Sequence, residues 1–333
     1  VHGNYEGYMK ILELINFSYE DITEASNFAN SLGKKLYITM NIVPHSSDLD
    51  ELVEYLKFLE NAKVTGIIIS SLYIASVAKK HAPKLELHLS TQATVSNHQA
   101  IKFYEDFGFK RVVLARELDT LEIESVIKNV LAEVEVFIHG GMCVSYSGRC
   151  MLSNYMTNRD ANRGGCAHSC RWNYDIYQDD KKLNKNYFNM GSKDLNAYKN
   201  IFKLIDIGVA SLKIEGRMKS LNYVAIVART YRKIIDLCYE GTLTEKDLIE
   251  AGMQPGKEIG DKLVEFLELV LDNPELNTIK EFEYSNLKIE KSIANNLANS
   301  KLFESENEDT ADNSTELKPP IPMEIIGIIK FMI

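Results

Sequence analysis

The stretch Val64-Thr-Gly-Ile-Ile-Ile-Ser70 decides the fold class. Its near-continuous apolar run predicts a strand buried on both faces, as strands of parallel sheets are. Similar runs predict six further strands: Lys35 to Val43, Leu85 to Ser90, Arg111 to Ala115, Glu133 to His139, Tyr187 to Met190 and Ser211 to Glu215. Amphipathic patterns between most of them predict helices: Leu49 to Glu60, Leu72 to Lys80, Asn97 to Phe107, Thr120 to Val130 and Ala197 to Ile207. This alternation indicates βα units.

The number of predicted strands bears on the architecture. Seven strands are one short of the eight that close a TIM-type barrel. A doubly wound open sheet is the alternative, but no Gly-x-Gly-x-x-Gly turn follows any of the predicted strands. We therefore predict an α/β fold, a TIM-like (β/α) barrel that is incomplete at its N-terminus and whose missing first strand or strands would precede Val1.

The pattern changes after Gly241, which gives the predicted domain organisation. Residues 1–241 form the barrel, with a four-cysteine insertion at residues 143–170. Residues 242–298 read as a helical appendage, broken at Pro255-Gly256. Residues 299–322 are acidic, polar and proline-containing, which predicts a disordered linker.

Composition narrows the class of protein. In the 333 residues, 45% are hydrophobic and 26% are charged, as in ordinary soluble globular proteins. The net charge of −9 opposes non-specific attraction to nucleic acid, although a local basic patch could still bind RNA. No signal pattern is present and no apolar run approaches the roughly 18 residues that span a bilayer. We predict a cytoplasmic protein with no membrane partner.

Four of the five cysteines lie within 28 residues: Cys143, Cys150, Cys166 and Cys170. In a cytoplasmic chain this spacing favours metal or redox chemistry over disulfides. Four thiolates suit a structural zinc ion or an iron–sulfur cluster. The gap of six residues in the first pair is wide for zinc, and a cluster, being larger than one ion, tolerates it. Cys238 lies in an apolar helical run and is interpreted as core packing.

Other candidate site residues end predicted strands or flank the cysteines. Lys213 and Glu215 lie at the end of the last predicted strand and Arg217 and Lys219 follow it, at the face where barrel active sites lie. An arginine suits a carboxylate or phosphate, and a solvated salt-bridge cluster is the alternative. Further candidates lie at the same end of the predicted barrel, called its mouth below, or in the loop between the cysteine pairs. Helix caps, metal ligands and solvated loop residues are the alternative roles for these side chains. They are Ser90, Gln92, Arg116, His139, Arg163 and His168.

A longer motif contains the first cysteine pair. The sequence Glu135-Val-Phe-Ile-His-Gly-Gly-Met-Cys-Val-Ser-Tyr-Ser-Gly-Arg-Cys-Met-Leu-Ser153 resembles the signature of the collagenase-like peptidase family 32 of unassigned catalytic type. Only Gly141 departs, where the family has Ser or Ala. Further matches extend the resemblance over about Phe17 to Gly241: Ser90–Gln92, Val113–Glu117, Ala161–Cys166, Ser192–Leu195 and Leu212–Ser220.

The resemblance implies a TIM-like barrel with a [4Fe–4S] cluster on the four cysteines and oxygen-independent hydroxylation. One branch of the family hydroxylates the wobble uridine of tRNA, giving 5-hydroxyuridine with prephenate as the oxygen source. Other branches act on a ribosomal RNA cytidine or on ubiquinone precursors. From their positions at strand ends and beside the cysteines, we predict catalytic roles for Arg217, Glu215, Lys213 and His139, and substrate binding by Ser90, Gln92, Arg116 and Arg163.

Two other function classes stay open. Members of the family are also described as collagen-degrading peptidases, which act on protein or peptide substrates. Such an enzyme would need Cys143 or another thiolate with His139 or His168 as its base, and three cysteines would then have no role. The third class is a non-catalytic fragment whose cysteines hold zinc.

Two segments near the C-terminus carry separate resemblances. The stretch from Asp247 to Thr278 is similar to the C-terminal helices of tRNA CCA-adding nucleotidyltransferases, without their catalytic head. Residues 323–333 resemble the first strand of the small β-barrel that ends many longer members of the peptidase family, so they would begin a truncated β-domain.

Overall fold

The computed structural model describes residues 17–183, 187–216, 219–244, 246–248 and 324–325, all within one compact unit. The strands are β1 Tyr37–Met40, β2 Gly66–Ile69, β3 Glu86–Leu89, β4 Arg111–Val113, β5 Glu133–Gly140, β6 Tyr177–Gln178, β7 Lys181–Lys182, β8 Leu195–Asn196, β9 Ser211–Ile214 and β10 Glu324–Ile325. The α-helices are α1 Tyr19–Ser31, α2 Leu52–Asn61, α3 Leu72–His81, α4 His98–Phe107, α5 Thr120–Ile127, α6 Leu152–Thr157, α7 Ile201–Asp206 and α8 Leu221–Glu240.

The main sheet has the order β1-β2-β3-β4-β5-β9-β10, and every neighbouring pair on this path is parallel. β8 pairs antiparallel with the end of β5. Strands that follow one another in space in their chain order form a (β/α)-barrel wall, whereas a doubly wound sheet reverses its order at a switch point. The α/β, barrel-like fold is therefore confirmed.

The two faces of this sheet carry different side chains. The helix-facing positions are apolar and fully buried: Ile38, Met40, Ile67, Ile69, Leu87, Leu89, Val112, Val134, Val136 and Leu212. Because side chains alternate along a strand, the intervening positions face the other way. They include buried polar and charged groups: Tyr37, His88, Arg111, Glu135, Ser211 and Lys213. The apolar core thus lies between sheet and helices, and the inner face is polar.

Local signals fix the ends of the helices. Ser18 and Asp119 cap α1 and α5 with reciprocal capping boxes. Ser220 caps α8 by accepting a hydrogen bond from the backbone N–H of Tyr223. At the other end of α8, Gly241 adopts a left-handed conformation (φ 68°), which a glycine reaches without strain. The sequence therefore places α8 immediately after the loop that follows β9.

One predicted strand is wrong. The segment Tyr187 to Met190 forms no ladder, and only Phe188 joins a single antiparallel bridge, with Tyr174. Both Tyr187 and Phe188 are exposed, so this segment lacks the buried face that a barrel strand requires. The other six predicted strands and all five predicted helices are present within a few residues of their expected ends.

Most of the C-terminal predictions lie outside the described residues. These are the appendage beyond residue 248, the linker at 299–322 and the stretch that resembles CCA-adding enzymes. Of residues 323–333 only Glu324 and Ile325 are described, and they pair with β9. Their membership of a separate β-domain stays a prediction. No helix in the described ranges is long and apolar enough to cross a membrane.

Candidate active site

The carboxyl ends of β5 and β9 come together at one edge of the sheet. The backbone N–H of Glu215 donates to the carbonyl of His139 at 2.8 Å, and the N–H of Gly141 donates to the Glu215 carboxylate at 3.2 Å. Gly140 between them has φ 105°, and a Cβ there would overlap Glu215. The glycine is required because the two strand ends approach so closely. The predicted residues His139 and Glu215 are thus neighbours.

The side chain of Arg116, which follows β4, reaches the same edge of the sheet. Its guanidinium donates to the carbonyl of Gly141 and lies 3.7 Å from the centre of the Phe137 ring. Burial lowers the pKa of Arg116, while the charges of Cys143, Glu215 and Glu117 oppose that shift. A guanidinium stays protonated at neutral pH even so. It therefore supplies a positive charge beside the first cysteine.

The four cysteines are free thiols, with Cys143 and Cys166 exposed and Cys150 and Cys170 half-buried. Although Cys143 is partly open to solvent, desolvation by the surrounding protein raises the pKa of its thiol, Arg116 lowers it, and the other three cysteines raise it. Burial also raises the pKa of Cys170, as do Cys166 and Cys150. Each thiol is therefore within electrostatic reach of the others. The four predicted ligands therefore lie in one region, although no three of the described His, Cys, Asp and Glu side chains are placed to hold a single metal ion.

One backbone N–H and one hydroxyl group approach one of these sulfurs. The N–H of His168 lies 3.4 Å from the Cys166 sulfur, and the Ser153 hydroxyl lies 3.9 Å from it. The same hydroxyl accepts a hydrogen bond from the N–H of Ala167 at 3.0 Å. Hydrogen-bond donors of the cysteine segment thus approach the Cys166 sulfur. His168 contributes its backbone here, and a role for its side chain stays a prediction.

The cysteines belong to a segment between β5 and β8, residues 141–194, which is called the cysteine segment below. Its first part lies against the turn after β3. A Cβ on Gly148, which has φ 74°, would overlap the backbone of Gln92. Thr94 donates to the carbonyl of Ser147 at 2.7 Å, and the Ser147 hydroxyl donates to Glu117 at 3.1 Å. These contacts place Cys150 relative to the barrel.

Arg163 holds the second part of the cysteine segment. Its guanidinium forms two bonds to the Asp48 carboxylate, at 2.6 and 3.0 Å, and a third to the carbonyl of Val43 at 2.6 Å. The side-chain hydrogen bond from Arg163 is the largest cause that lowers the pKa of Asp48. Arg163 thus ties the cysteine segment to the loop after β1. Its predicted role in substrate binding stays a prediction.

A second charged group includes Arg171, whose guanidinium lies 3.3 Å from the position that a Cβ on Gly141 would take. Asp194 accepts hydrogen bonds from Arg171 at 2.7 Å and from Lys219 at 3.2 Å. Burial raises the pKa of Asp194, but these two cations outweigh it and hold the pKa below its usual value. The Lys219 ammonium also lies 5.0 Å from the centre of the Tyr223 ring on α8. Arg171 therefore approaches Gly141, the residue that Arg116 also contacts.

His139 is buried and connected to α8. The Tyr231 hydroxyl donates to the carbonyl of Ile138 at 3.0 Å, and its oxygen lies 3.3 Å from Nδ1 of His139. Burial lowers the pKa of His139, although the charge of Asp194 opposes that effect. With its lowered pKa, His139 is a neutral imidazole at neutral pH, and its Nδ1 lies beside the Tyr231 hydroxyl. A neutral imidazole of this kind can take up one proton.

Lys213 lies deeper, within the inner face of the sheet. Its ammonium is 2.6 Å from the Glu135 carboxylate, which also accepts from Ser211 at 3.0 Å and lies 3.5 Å from Arg111. Burial raises the pKa of Glu135, but Lys213 and Arg111 outweigh it and the carboxyl stays ionised. Lys213 is therefore paired with the buried Glu135 on the inner face of the sheet. Its catalytic role stays a prediction.

Two more predicted residues lie near the end of β3. The buried Ser90 hydroxyl accepts from the Asn41 amide at 2.9 Å and from the N–H of Gln92 at 3.2 Å. The side-chain oxygen of Gln92 is buried without a hydrogen-bond partner among the described residues. Arg217, the remaining predicted catalytic residue, lies outside the described residues.

Sequence reasoning did not assign roles to Asp194, Arg171 and Tyr231. Asp194 lies in the Ser192–Leu195 match, which is the signal that could have identified it. Arg171 follows the last cysteine directly, so its position beside the site could also have been inferred. Tyr231 lies on a helix ten residues beyond its start, and no local pattern connects it to His139.

Comparison with known proteins extends over the same region. The model of peptidase family U32 matches residues 12–261. Over 228 residues the chain is 49% identical to tRNA hydroxylation protein P1 of Bacillus subtilis (66% of this chain, 54% of that protein). It is 33% identical to tRNA hydroxylation protein P of Escherichia coli (70% and 62%) and 33% identical to a collagenase of Porphyromonas gingivalis (69% and 58%). The chain thus spans between half and two thirds of the length of each relative.

Proposed function

This chain belongs to peptidase family U32, and on that premise we propose that it is an enzyme that hydroxylates RNA in the cytoplasm. We take the wobble uridine of tRNA as its target and 5-hydroxyuridine as the product. The observation that carries the proposal is the gathering of four thiols beside Arg116 and Glu215, where the barrel strands end. Two of the similar proteins are named tRNA hydroxylation proteins, which supports RNA as the substrate.

The four cysteines are proposed to hold a [4Fe–4S] cluster. The donor set fits, because four free thiols share one site and the backbone N–H of His168 approaches one of them. In the part of the chain that the structure describes, no three His, Cys, Asp or Glu side chains are close enough to hold a single metal ion. When bound, a cluster of this type supplies electron-transfer chemistry.

The mouth is proposed to bind prephenate, a dicarboxylate, as the oxygen source. Arg116 donates to a backbone carbonyl, so its charge can attract an anion. Arg171 comes close to the same Gly141, and Asp194 accepts hydrogen bonds from Arg171 and Lys219. Arg217 follows Glu215 by two residues and is proposed as a second carboxylate ligand. His139, neutral at neutral pH, can then hold or release one proton beside the bound ligand.

The residues of the site argue against a thiol peptidase. A nucleophilic cysteine needs a lowered pKa and a basic partner. Burial instead raises the pKa of Cys143, and Nδ1 of His139 is engaged with Tyr231. The similarity to a protein named a collagenase does not by itself give this chain a nucleophilic cysteine with a histidine base.

Nucleoside analysis tests the proposal. The chain is expressed in a bacterial strain whose own tRNA uridine hydroxylases are deleted, and tRNA nucleosides are measured by mass spectrometry. We expect 5-hydroxyuridine to return, and to disappear again with Cys143→Ser or when the strain cannot make prephenate. Cys238→Ser is the matched control and should keep the product, because Cys238 is buried in the core of α8. The control for a loaded protein is an iron content of about four atoms per chain. If protein with that iron content yields no hydroxylated nucleoside, RNA hydroxylation is rejected.

A further inference from the structure

The side chain of Tyr231 is fully buried where α8 meets the end of β5. Its hydroxyl oxygen lies 3.0 Å from the carbonyl oxygen of Ile138, 3.2 Å from Oδ1 of Asn196 and 3.3 Å from Nδ1 of His139. A buried tyrosine hydroxyl needs one hydrogen-bond partner, and this one has three polar neighbours. A phenylalanine would fill the same space, so the hydroxyl itself calls for an explanation.

The three neighbours of this hydroxyl belong to one hydrogen-bonded frame. Ile138 and His139 lie on β5, and Asn196 of β8 is the direct partner of His139 in the antiparallel pairing of these strands. The N–H of Ala197 also donates to the carbonyl of Ile138, at 2.9 Å. The ring of Tyr231 meets that of His139 at an angle of 64°, with 5.6 Å between their centres. The fold therefore fixes the distance between the hydroxyl and the imidazole.

The hydroxyl of Tyr231 has a single proton, and its neighbours decide where that proton points. The Ile138 carbonyl and Oδ1 of Asn196 are oxygens, which can only accept. If the proton pointed to Nδ1 of His139, the hydroxyl oxygen would face both of these oxygens with lone pairs alone, which is repulsive. The proton therefore points to an oxygen. The hydroxyl is then left to accept a hydrogen bond from Nδ1–H of His139.

The second ring nitrogen of His139 has a different environment. Nε2 has no hydrogen-bond partner among the described residues, and it is not sealed from solvent. The groups around the ring are Tyr223 of α8, whose ring centre lies 5.8 Å away, and the charges of Asp194, Lys219 and Glu215. One nitrogen is thus held by the fold, while the other is accessible at the end of β5.

We propose that Tyr231 is a positioning residue, whose hydroxyl accepts Nδ1–H of His139 and so leaves the lone pair of the imidazole on Nε2. A proton from an acidic N–H or O–H of a bound ligand can then move to Nε2. The ligand becomes an anion, and the ring becomes an imidazolium that still donates from Nδ1 to Tyr231. The charges of Asp194 and Glu215 stabilise this imidazolium, and that of Lys219 opposes it. The use of this base in catalysis rests on the proposed function.

Carbethoxylation of the full chain with diethyl pyrocarbonate tests the tautomer. The reagent attacks a ring nitrogen that carries a lone pair, and peptide mass spectrometry gives the rate at each histidine, with the exposed His45 as internal reference. In Tyr231→Phe, Nδ1–H loses its acceptor, so the proton moves to Nε2, where water can accept it. The reactive lone pair then faces the buried side. The labelling rate of His139 relative to His45 should fall about five-fold or more at neutral pH, because an unpaired buried N–H is disfavoured by at least that factor.

The sign of the change separates positioning from packing. If Tyr231 only filled the core, Tyr231→Phe would label His139 at the parent's rate or faster, and either result would overturn the proposal. A parent in which His45 is labelled and His139 is not would also overturn it, since Nε2 would then be inaccessible. Tyr239→Phe is the matched control on α8, because Tyr239 is half-buried and its hydroxyl has no hydrogen-bond partner in the described ranges. Its labelling ratio should equal the parent's.

Turnover provides a second readout and separates this inference from the proposed function. Tyr231→Phe should lower kcat for RNA hydroxylation by about five-fold or more and leave KM near the parent's, because the buried hydroxyl touches no substrate. A kcat equal to the parent's would overturn the positioning role and leave RNA hydroxylation standing. A chain that hydroxylates no RNA, yet shows the expected decrease in labelling, would reject the proposed function and retain Tyr231 as the residue that sets the tautomer of His139.

Discussion

The parallel sheet and the cysteine segment differ in what holds their residues in place. In the sheet, an inner strand is fixed by its two neighbours and by a fully buried apolar face, as β2 with Ile67 and Ile69 illustrates. The cysteine segment has little regular structure, and single polar contacts such as the pair of Arg163 and Asp48 attach it to the sheet. A site held by few contacts is easier to disturb than the scaffold below it.

The buried carboxylate of Glu135 should produce the largest effect, because it belongs to the sheet. Glu135→Gln leaves the buried Lys213 without its counter-charge, which typically costs about 3–5 kcal/mol. Urea denaturation should show this loss in the free energy of unfolding. Glu133→Gln is the control on the same strand: its carboxylate is 37% exposed and pairs with Arg111, so the loss should be about 1 kcal/mol. Equal losses would show that Glu135 is no central partner of the sheet.

Gly148 offers the opposite disturbance, confined to the cysteine segment. In Gly148→Ala the new Cβ meets the Gln92 backbone and must push the segment away from the barrel. We expect the variant to lose at least half of its reconstituted iron while its far-ultraviolet circular dichroism stays that of the parent. Gly33→Ala is the matched control, because Gly33 also has a positive φ but nothing within 4 Å of its Cβ position. It should cost about 1–2 kcal/mol of backbone strain and keep its iron.

These two regions also differ in how far the sequence predicts them. In runs such as Gly66 to Ile69, the apolar residues that a buried strand needs are adjacent in the sequence. The six strands and their order therefore follow from the local pattern. The cysteine spacing likewise predicts which four thiols would act as metal ligands, and that role stays a prediction. The anchors of the segment cannot be read this way, since Arg163 and Asp48 are 115 residues apart. Tyr187 to Met190 has strand-like composition, but tertiary context leaves it exposed, which composition does not encode.

A third prediction concerns the pH dependence of the sheet. His88 is fully buried against Glu86, Arg111, Glu135 and Tyr37, and burial lowers its pKa below 6.5. The unfolded chain therefore takes up a proton below pH 6.5 that the folded protein does not, and stability falls as the pH falls. The loss from this group between pH 6.5 and 5.5 is at most about 1 kcal/mol.

Chemical denaturation at these two pH values checks the sign. His88→Gln should show a smaller decrease in the free energy of unfolding than the parent does. The lowered pKa of His139 adds a decrease in the same direction, so some dependence should remain. His98→Gln, on the surface of α4, is the control and should behave as the parent. An unfolding free energy that rises on acidification would contradict a neutral, buried His88.

The smallest effect should come from Arg163→Lys, which keeps the charge but removes the fork. Lysine can meet Asp48 as a point charge, yet it cannot bond both carboxylate oxygens and the Val43 carbonyl at once. Because Arg163 and Asp48 are 21% and 15% exposed, the free energy of unfolding should fall by no more than about 1 kcal/mol. The cysteine segment should loosen more than that figure suggests, since the lost bonds are among its few attachments.

Alkylation of the metal-free protein, followed by mass spectrometry, measures that loosening at each thiol. Cys166 lies three residues beyond Arg163, so its labelling rate should rise several-fold while that of the buried Cys238 stays the same. Arg232→Lys provides the matched control, because Arg232 binds Asp236 within α8 and has no part in the segment. If both variants label Cys166 at the parent's rate, Arg163 is not an anchor, and its guanidinium returns to the set of candidate substrate ligands. A rise with Arg163→Lys alone would show that the site is ordered by contacts the sheet itself does not need.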